Sequence, residues 1–258
     1  MQELPDLRVA PIEEIRPHED FDPFRVDRLR DRIDSDGIQI NPMVCTLAPD
    51  GSYVLLDGAT RREAFNRLGL PHAVIQIVDP RSVTLETWHH VLQNGQTEVL
   101  LEALDASDTF DLVKDRGTPR INIGDEDWRT AQSTGASTNA CLNALVDCYQ
   151  GRMTVTRVTD PSVSAVTSAH NDWTAIVEFP SLSIEDVMKA ATEADFVPAG
   201  ITRFVVPARA LRLNIPLTFL MEPADTATKQ ERLDEILAKR AREGRIRRYD
   251  EPVIILDD

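Results

Sequence analysis

One short stretch of the sequence places two arginines where a helix normally prefers acidic residues. Asp57 and Gly58 end an apolar run, and the helical pattern that follows has Arg61 and Arg62 in its first turn. The N-terminus of a helix carries a partial positive charge, so cations are unfavourable there unless an anion is bound. A strand, an Asp-Gly turn and a helix N-terminus also gather backbone N–H groups around one small space. The stretch therefore predicts a phosphate-binding turn.

The same residues allow a second interpretation. Arg61 and Arg62 could pair with Asp57, Glu63 or other nearby acids, and the residues alone do not decide between the two. Arg61 is the better phosphate ligand because it is closer to the turn and can donate two parallel N–H bonds. Asp57 is either a turn-former bonded to the backbone or a carboxylate facing a metal–nucleotide complex. Thr60 and Glu63 have the spacing of a capping box, which predicts a helix starting at Thr60.

The elements that must position this turn form a compact mixed α/β unit. The sequence predicts an extended segment over 7–15, a helix over 24–37, a hairpin over 42–48 and 52–56, the helix from Thr60, and a buried strand over 72–79. We therefore expect one domain over 1–80 and a second α/β domain over 81–258.

The second domain is less legible from the sequence. Residues 85–93 fit either a strand or a helix, and 97–104 look helical. Polar caps predict helices over 137–150 and 183–194. Strands are predicted over 173–179, 203–207 and 253–256, and the polar stretch 107–137 is predicted to be a mobile loop or lid. The apolar helices after residue 137 offer a face for a homodimer.

Composition narrows the class of protein. The 258 residues carry a formal net charge of −15, and 42% are hydrophobic. Proteins that bind duplex DNA normally have a basic surface, so this charge disfavours nucleic acid as the main partner. The sequence shows no apolar run long enough for a membrane span and no secretory pattern at its N-terminus, so we expect a cytoplasmic protein. Three scattered cysteines do not suggest a disulfide framework, and no metal site is assigned.

The architecture and the turn together resemble the ParB/sulfiredoxin-like superfamily. Members carry a turn after a strand that binds nucleotide phosphates and opens a helix often ending in Leu-Gly. This chain has DGATR at Asp57–Arg61, followed by Leu68 and Gly69. Sulfiredoxins need a cysteine in the turn, and this turn has none. Chromosome-partition members have GERR and a downstream helix-turn-helix, and neither is found in this sequence.

A closer resemblance is to the free serine kinases of this superfamily, including the kind that supplies O-phosphoserine for siderophore synthesis. The matching pieces run in order along the chain: PHED (17–20), DGATR (57–61), TWHH (87–90), PAGITRFVVP (198–207), NIPL (214–217) and YDEPVIILD (249–257). Archaeal serine kinases look like DGHHR at the turn, where this chain has Ala59 and Thr60. That departure leaves the donor open, because the archaeal type uses ADP and the siderophore type uses ATP.

The resemblance implies a site for L-serine, ATP (or ADP) and Mg²⁺. Glu19 would be the catalytic base, with His18 as a weaker alternative, and Trp88 would lie beside the serine. Arg203, near a turn that Gly200 permits, can grip the serine carboxylate through a bidentate pair. The remaining implied residues are Asp57 facing the metal or nucleotide; Gly58, Ala59, Thr60 and Arg61 cradling the phosphates; His90 near the phosphates; and Thr202 beside the serine.

Three hypotheses follow, in decreasing order of support. The first is a free L-serine kinase that forms O-phospho-L-serine. The second is a nucleotide-binding regulator of the same fold, which would use the basic cluster at 239–248. That cluster also has a simpler explanation, because it follows an amphipathic helix and the helix dipole favours cations at a C-terminus. The third is an interaction module in which the turn is only a capped helix. The third hypothesis predicts no nucleotide binding, whereas the first two predict it. Of those two, only the kinase requires free serine.

Overall fold

The computed structural model describes residues 4–249, and a five-stranded sheet occupies the first part of that range. The sheet has the order β1-β6-β4-β5-β2, with β2 parallel to β5, β4 parallel to β6 and the other pairs antiparallel. Its strands are β1 (Asp6–Pro11), β2 (Ile15–Pro17), β4 (Met43–Leu47), β5 (Tyr53–Asp57) and β6 (His72–Ile77). The short strand β3 (Ile38–Gln39) precedes β4 in the chain but is not part of this sheet. The predicted mixed α/β order of this region is confirmed.

Two helices of this region begin in different ways. Helix α1 (Pro23–Asp36) starts after Asp22, whose carboxylate accepts from Phe24 N at 2.9 Å. Helix α2 (Ala59–Arg67) starts one residue earlier than predicted and has no side-chain cap. Gly58 has φ 112°, which glycine adopts without strain, so the backbone itself makes the turn. The predicted capping box is wrong, because the Glu63 carboxylate instead accepts from Arg67 at 3.1 Å.

A second, six-stranded antiparallel sheet follows, in the order β12-β8-β13-β10-β11-β9. Its strands are β8 (His89–Gln93), β9 (Phe110–Val113), β10 (Arg120–Ile123), β11 (Glu126–Gln132), β12 (Thr154–Val158) and β13 (Trp173–Glu178), and β7 (Thr84–Thr87) precedes it. The ambiguous stretch 85–93 is therefore two strands separated by Trp88. The prediction of a mobile loop over 107–137 is wrong, because three strands lie there in antiparallel pairs. An ion pair between Arg120 and Asp127, at 2.7 Å, also links β10 and β11.

Four helices accompany the second sheet. They are α3 (Thr97–Asp105), α4 (Thr138–Asp147), α5 (Val163–Ala169) and α6 (Ile184–Glu193). The predicted polar caps are confirmed, since the hydroxyl groups of Ser137 and Ser183 accept from the first turns of α4 and α6. Helix α6 contacts both sheets: Val187 packs with Leu56 of the first sheet, and Ala190 packs in the core of the second.

The chain then returns to the first sheet. Strand β14 (Thr202–Val205) pairs with β7, β15 (Ile215–Pro216) pairs with β3, and α7 (Leu217–Met221) and α8 (Thr226–Arg242) follow. Buried residues from this region, including Ile215 and Leu233, join the core of the first sheet. The division at residue 80 stays a prediction, and any such division must place 215–242 with the first sheet. The strand predicted over 253–256 lies outside the described residues.

Within residues 4–249, no helix combines the length and apolarity that crossing a membrane requires. The same residues contain no cluster of three or more His, Cys, Asp or Glu side chains that could hold a metal ion. The cysteines are free thiols, and Cys45 is buried in β4.

Replacing Leu233 by Ala tests how much α8 contributes to the first core. The side chain is fully buried, so we expect the free energy of unfolding to fall by about 2 to 5 kcal/mol in urea denaturation. The matched control is Leu211→Ala, where the side chain is 44% exposed and the expected loss is below about 0.5 kcal/mol. Equal losses from the two variants would contradict the packing of α8 on this sheet.

Candidate active site

The Asp-Gly turn lies between β5 and α2, and Arg61 folds back over it. Its Nη1 donates to Pro42 O at 2.9 Å, and a Cβ added at Gly58 would lie 3.1 Å from the same nitrogen. Burial lowers the pKa of Arg61, Arg209 adds to that effect, and Asp57 opposes it. Among the described residues, Arg61 has no carboxylate within ion-pair distance. The guanidinium therefore stays available to an anion at the turn.

Arg62 follows the second interpretation instead. Its Nη1 lies 3.8 Å from the carboxylate of the neighbouring Glu63. It begins the second turn of α2, since its N–H bonds to Gly58 O at 2.8 Å. The two adjacent arginines thus have different surroundings, and only Arg61 lies over the turn.

Asp57 pairs with an arginine that the sequence analysis missed. Arg209 donates from Nη1 to the Asp57 carboxylate at 2.5 Å and from Nη2 to Phe204 O at 3.1 Å. Arg209 belongs to the segment between β14 and β15, and no motif or spacing in the sequence linked it to residue 57. The turn therefore has two guanidinium groups beside it, those of Arg61 and Arg209.

Glu19 lies on the segment between β2 and α1, which pairs with Val197 through a parallel β-bridge. The carboxylate is half-buried, and its Oε2 accepts from Gly200 N at 2.9 Å and from the Thr202 hydroxyl at 3.3 Å. Burial raises the pKa of Glu19 to about 7, the negative charge of Asp57 adds to that effect, and the two hydrogen bonds oppose it. A carboxylate with a pKa near neutrality is suited to accept a proton at physiological pH.

His18, the alternative base, is enclosed behind Glu19. Its ring is 1% exposed, with Nδ1 2.7 Å from Leu55 O and Nε2 3.0 Å from the Thr202 hydroxyl. Burial lowers the pKa of His18 to about 4, so the ring is neutral at pH 7. Both nitrogens already have partners, which makes Glu19 the better candidate for contact with a substrate.

Trp88 and Arg203 lie next to each other. Trp88 directly follows β7, and Arg203 lies on β14, which pairs with β7. The guanidinium carbon of Arg203 is 4.9 Å from the centre of the Trp88 indole, and Arg203 Nη1 donates to Glu86. Trp88 N donates to Ile201 O at 2.8 Å. A carboxylate gripped by Arg203 would have to share the guanidinium with Glu86, and the predicted role of Arg203 stays a prediction.

His90 lies in the core of the second sheet. Its Nδ1 is 2.8 Å from the Tyr149 hydroxyl, and the ring meets Phe179 edge-on with 4.9 Å between ring centres. Burial lowers the pKa of His90 to about 3, and Nε2 is buried with no hydrogen-bond partner among the described residues. None of the contacts of His90 comes from the turn, so its predicted place near the phosphates stays a prediction.

Arg157 is a second residue that the sequence analysis missed. It lies on β12, and its Nη2 is 3.5 Å from Ala199 O. A Cβ at Gly200 would lie 2.0 Å from that nitrogen, so the guanidinium packs directly on the glycine whose N–H holds Glu19. The positive charge lowers the pKa of Glu19, opposing the effect of burial. Arg157 belongs to no motif in the sequence, so only its position in the fold reveals it.

The structure thus brings Glu19, Thr202 and the DGATR turn into one region, with Trp88 and Arg203 on the strand pair that supplies Thr202. Ala59 and Thr60 form the first turn of α2, directly after Gly58. Their role in cradling the phosphates stays a prediction.

Known proteins resemble this chain over most of its length. No protein-family model matches the chain. The ATP-dependent L-serine kinase SbnI of Staphylococcus aureus is 24% identical over 224 residues, 85% of each chain. Its C-terminally truncated structure superposes with a TM-score of 0.76 at 22% identity, covering 91% of this chain and 97% of that one.

Two further serine kinases are similar. An ATP-dependent L-serine kinase of Staphylothermus marinus is 30% identical over 107 residues, which cover 38% of this chain and 42% of the relative. The structure of a free serine kinase in complex with AMP has a TM-score of 0.74 at 16% identity and covers 84% of this chain and 95% of that one. The resemblance to free serine kinases is confirmed over most of the chain, in sequence and in fold.

Proposed function

We propose that this protein is a free L-serine kinase that transfers a phosphoryl group from ATP to the serine hydroxyl and forms O-phospho-L-serine. The observation that carries the proposal is the half-buried Glu19, with its pKa raised to about 7, beside a turn that holds two guanidinium groups. The names of the relatives support ATP as the donor, and ADP is the alternative.

Glu19 acts as the general base in this proposal. Its Oε2 is occupied by Gly200 N–H and the Thr202 hydroxyl, which leaves Oε1 to accept the proton of the serine hydroxyl. The serine oxygen forms a bond to the γ-phosphorus as the bond from that phosphorus to the bridging oxygen of the donor breaks, and ADP leaves. In such a loose transition state a correctly positioned carboxylate is a sufficient base.

The phosphates bind at the turn. Gly58, Ala59 and Thr60 offer backbone N–H groups at the start of α2, where the helix leaves donors without partners. Arg61 and Arg209 add positive charge, and an incoming phosphate would compete with Asp57 for Arg209. Mg²⁺ binds through one or two carboxylates together with substrate phosphates, so Asp57 fits as its protein ligand. The ion would neutralise charge on the transferred group.

Serine binds between Glu19 and the strand pair β7–β14. Trp88 forms an apolar wall, stacked on Arg203, and Thr202 lies next to the reacting hydroxyl. The serine carboxylate needs a cation, and Arg203 already pairs with Glu86. Arg157 has no ion pair with a carboxylate among the described residues, so it is a second candidate for this contact.

An assay of O-phosphoserine formation tests the function. With Mg²⁺, L-serine and ATP or ADP, the parent protein should form product, measured by mass spectrometry. Glu19→Gln keeps an acceptor for Gly200 N–H but cannot take a proton, so kcat should fall about 10² to 10⁴-fold while nucleotide affinity changes little. Glu13→Gln, at an exposed position, is the matched control. Nucleotide binding without product from either donor would favour the regulator.

The pH dependence tests the identity of the base. Glu19 accepts a proton only when it is ionised, so kcat/KM for serine should rise about tenfold per pH unit below pH 7 and level off above it. Nucleotide affinity measured over the same range separates this effect from titration of the phosphates. A midpoint near 4.5, the ordinary value for a glutamate, would contradict the proposed environment of Glu19.

Gly58→Ala tests the phosphate turn. The substitution strains a backbone at φ 112° and places a Cβ 3.1 Å from Arg61 Nη1, so ATP affinity measured by calorimetry should fall about tenfold or more, the effect of one lost charged hydrogen bond. Gly51→Ala is the matched control, because that glycine also has positive φ, 83°, but nothing within 4 Å of the added carbon. Equal effects on affinity would mean that the turn does not bind the nucleotide.

A further inference from the structure

A chain of hydrogen bonds runs from the first sheet to the back of Glu19. His18 Nδ1 lies 2.7 Å from Leu55 O, His18 Nε2 lies 3.0 Å from the Thr202 hydroxyl oxygen, and that oxygen lies 3.3 Å from Glu19 Oε2. The proposed mechanism uses only the Glu19 end of this chain. The buried imidazole at the other end therefore lacks a role.

The positions of the hydrogens in this chain follow from chemistry. A backbone carbonyl only accepts, so His18 Nδ1 must carry a hydrogen and donate it to Leu55 O. The ring is neutral at pH 7 because burial lowers its pKa to about 4. A neutral imidazole has one N–H, so Nε2 is an acceptor that needs a donor.

The Thr202 hydroxyl cannot satisfy both of its neighbours when Glu19 is ionised. It has one hydrogen, and two acceptors face it: His18 Nε2 and Glu19 Oε2. When Oε2 carries a proton, Glu19 donates to Thr202 and Thr202 donates to His18, so every member has a partner. The chain therefore contains one hydrogen too few in the ionised state and becomes complete when Glu19 is protonated.

We propose that His18 is a positioning residue that increases the proton affinity of Glu19 through the Thr202 hydroxyl, without itself contacting serine or nucleotide. The inference rests on the proposed role of Glu19 as the base. It gives the PHED motif a physical meaning: the histidine supplies an acceptor that lacks a donor while Glu19 is ionised, and a proton on Oε2 removes that deficit. His18 therefore raises the pH at which Glu19 ionises, while Oε1 stays free to face the substrate.

Other charges near Glu19 act through space and not through this chain. Asp57 at the end of β5 raises the pKa of Glu19, and Arg157 on β12 lowers it. Gly200 N–H, from the segment before β14, bonds to Oε2 and favours the ionised form. None of these groups changes in the variants below, so those variants isolate the contribution of His18.

The first experiment uses the parent protein and NMR. The ¹³C signal of the Glu19 side-chain carboxyl, identified by its loss in Glu19→Gln, is titrated together with the ¹⁵Nε2 signal of His18. We expect both signals to move with one midpoint near pH 7, since protonation of Glu19 directs the Thr202 hydrogen onto Nε2. An Nε2 signal that stays unchanged through the Glu19 midpoint, or one that shows an imidazolium forming there, would overturn the inference.

A double-mutant cycle gives the second test. His18→Asn keeps an amide donor near Leu55 O and removes Nε2, so the Glu19 midpoint should fall by about 0.5 to 1 pH unit, the effect of one neutral hydrogen bond. The same shift should appear in a Thr202→Ser background, which keeps the hydroxyl, and should vanish in a Thr202→Val background, which lacks it. A shift that persists with valine, or none in the parent background, would refute transmission through Thr202.

The activity of the same proteins separates the two proposals. If Glu19 is the base, the acidic limb of the kcat/KM profile should move with the NMR midpoint in His18→Asn. A parent protein that forms no O-phosphoserine but shows the coupled titration would refute the kinase proposal and retain the hydrogen-bonded chain. A parent protein that forms O-phosphoserine but shows no coupled titration would retain the kinase proposal and refute the role of His18.

Discussion

The candidate site depends on keeping one carboxylate partly away from water while still satisfying its hydrogen bonds. A parallel bridge fixes the segment that carries Glu19, with Asp20 N bonding to Val197 O at 2.9 Å and Val197 N bonding to His18 O at 3.0 Å. A buried carboxylate without partners would be costly, and a fully solvated one would be a weak base. The bridge places Glu19 between these limits, next to the backbone of Gly200.

The candidate site contains positively charged groups, although the protein as a whole is negatively charged. A net charge of −15 repels nucleotide phosphates at long range, although salt screens exposed charges beyond about 10 Å. Affinity for an anion must then come from groups at close range. Arg61 and Arg209 provide such groups at the turn. Arg157 provides another against Gly200, whose N–H bonds to Glu19. The expectation that nucleic acid is not the main partner stays a prediction from the net charge.

The sequence predicted those parts of the structure that local chemistry determines. Polar caps identified α4 and α6, and an apolar face ending at Gly37 identified α1. Apolar runs and a turn signal identified the longer strands of the first sheet. The strands β9, β10 and β11 were missed because they are partly exposed and carry charged residues, some of which find ion-pair partners on a neighbouring strand. The start of α2 was missed because Gly58 makes the turn through its backbone, which leaves no cap residue to recognise.

The site was less accessible to local reasoning than the fold. Glu19 and Thr202 are 183 residues apart, so only the family resemblance placed them together. Arg157 and Arg209 belong to no motif, and their closeness to Glu19 and Asp57 is a property of the tertiary structure. The hydrogen-bonded chain through His18 was likewise invisible, because it depends on the direction of single hydrogens and not on residue types.

The return of the chain to the first sheet also bears on how the protein is made. The strands of that sheet leave the ribosome well before Ile215, Leu220 and Leu233, which help to complete its core. Helices α1 and α2 pack into the same core, so only the part that the three later residues cover must wait for most of the remaining chain to be translated. Such late, long-range contacts slow folding and expose nascent chains to aggregation.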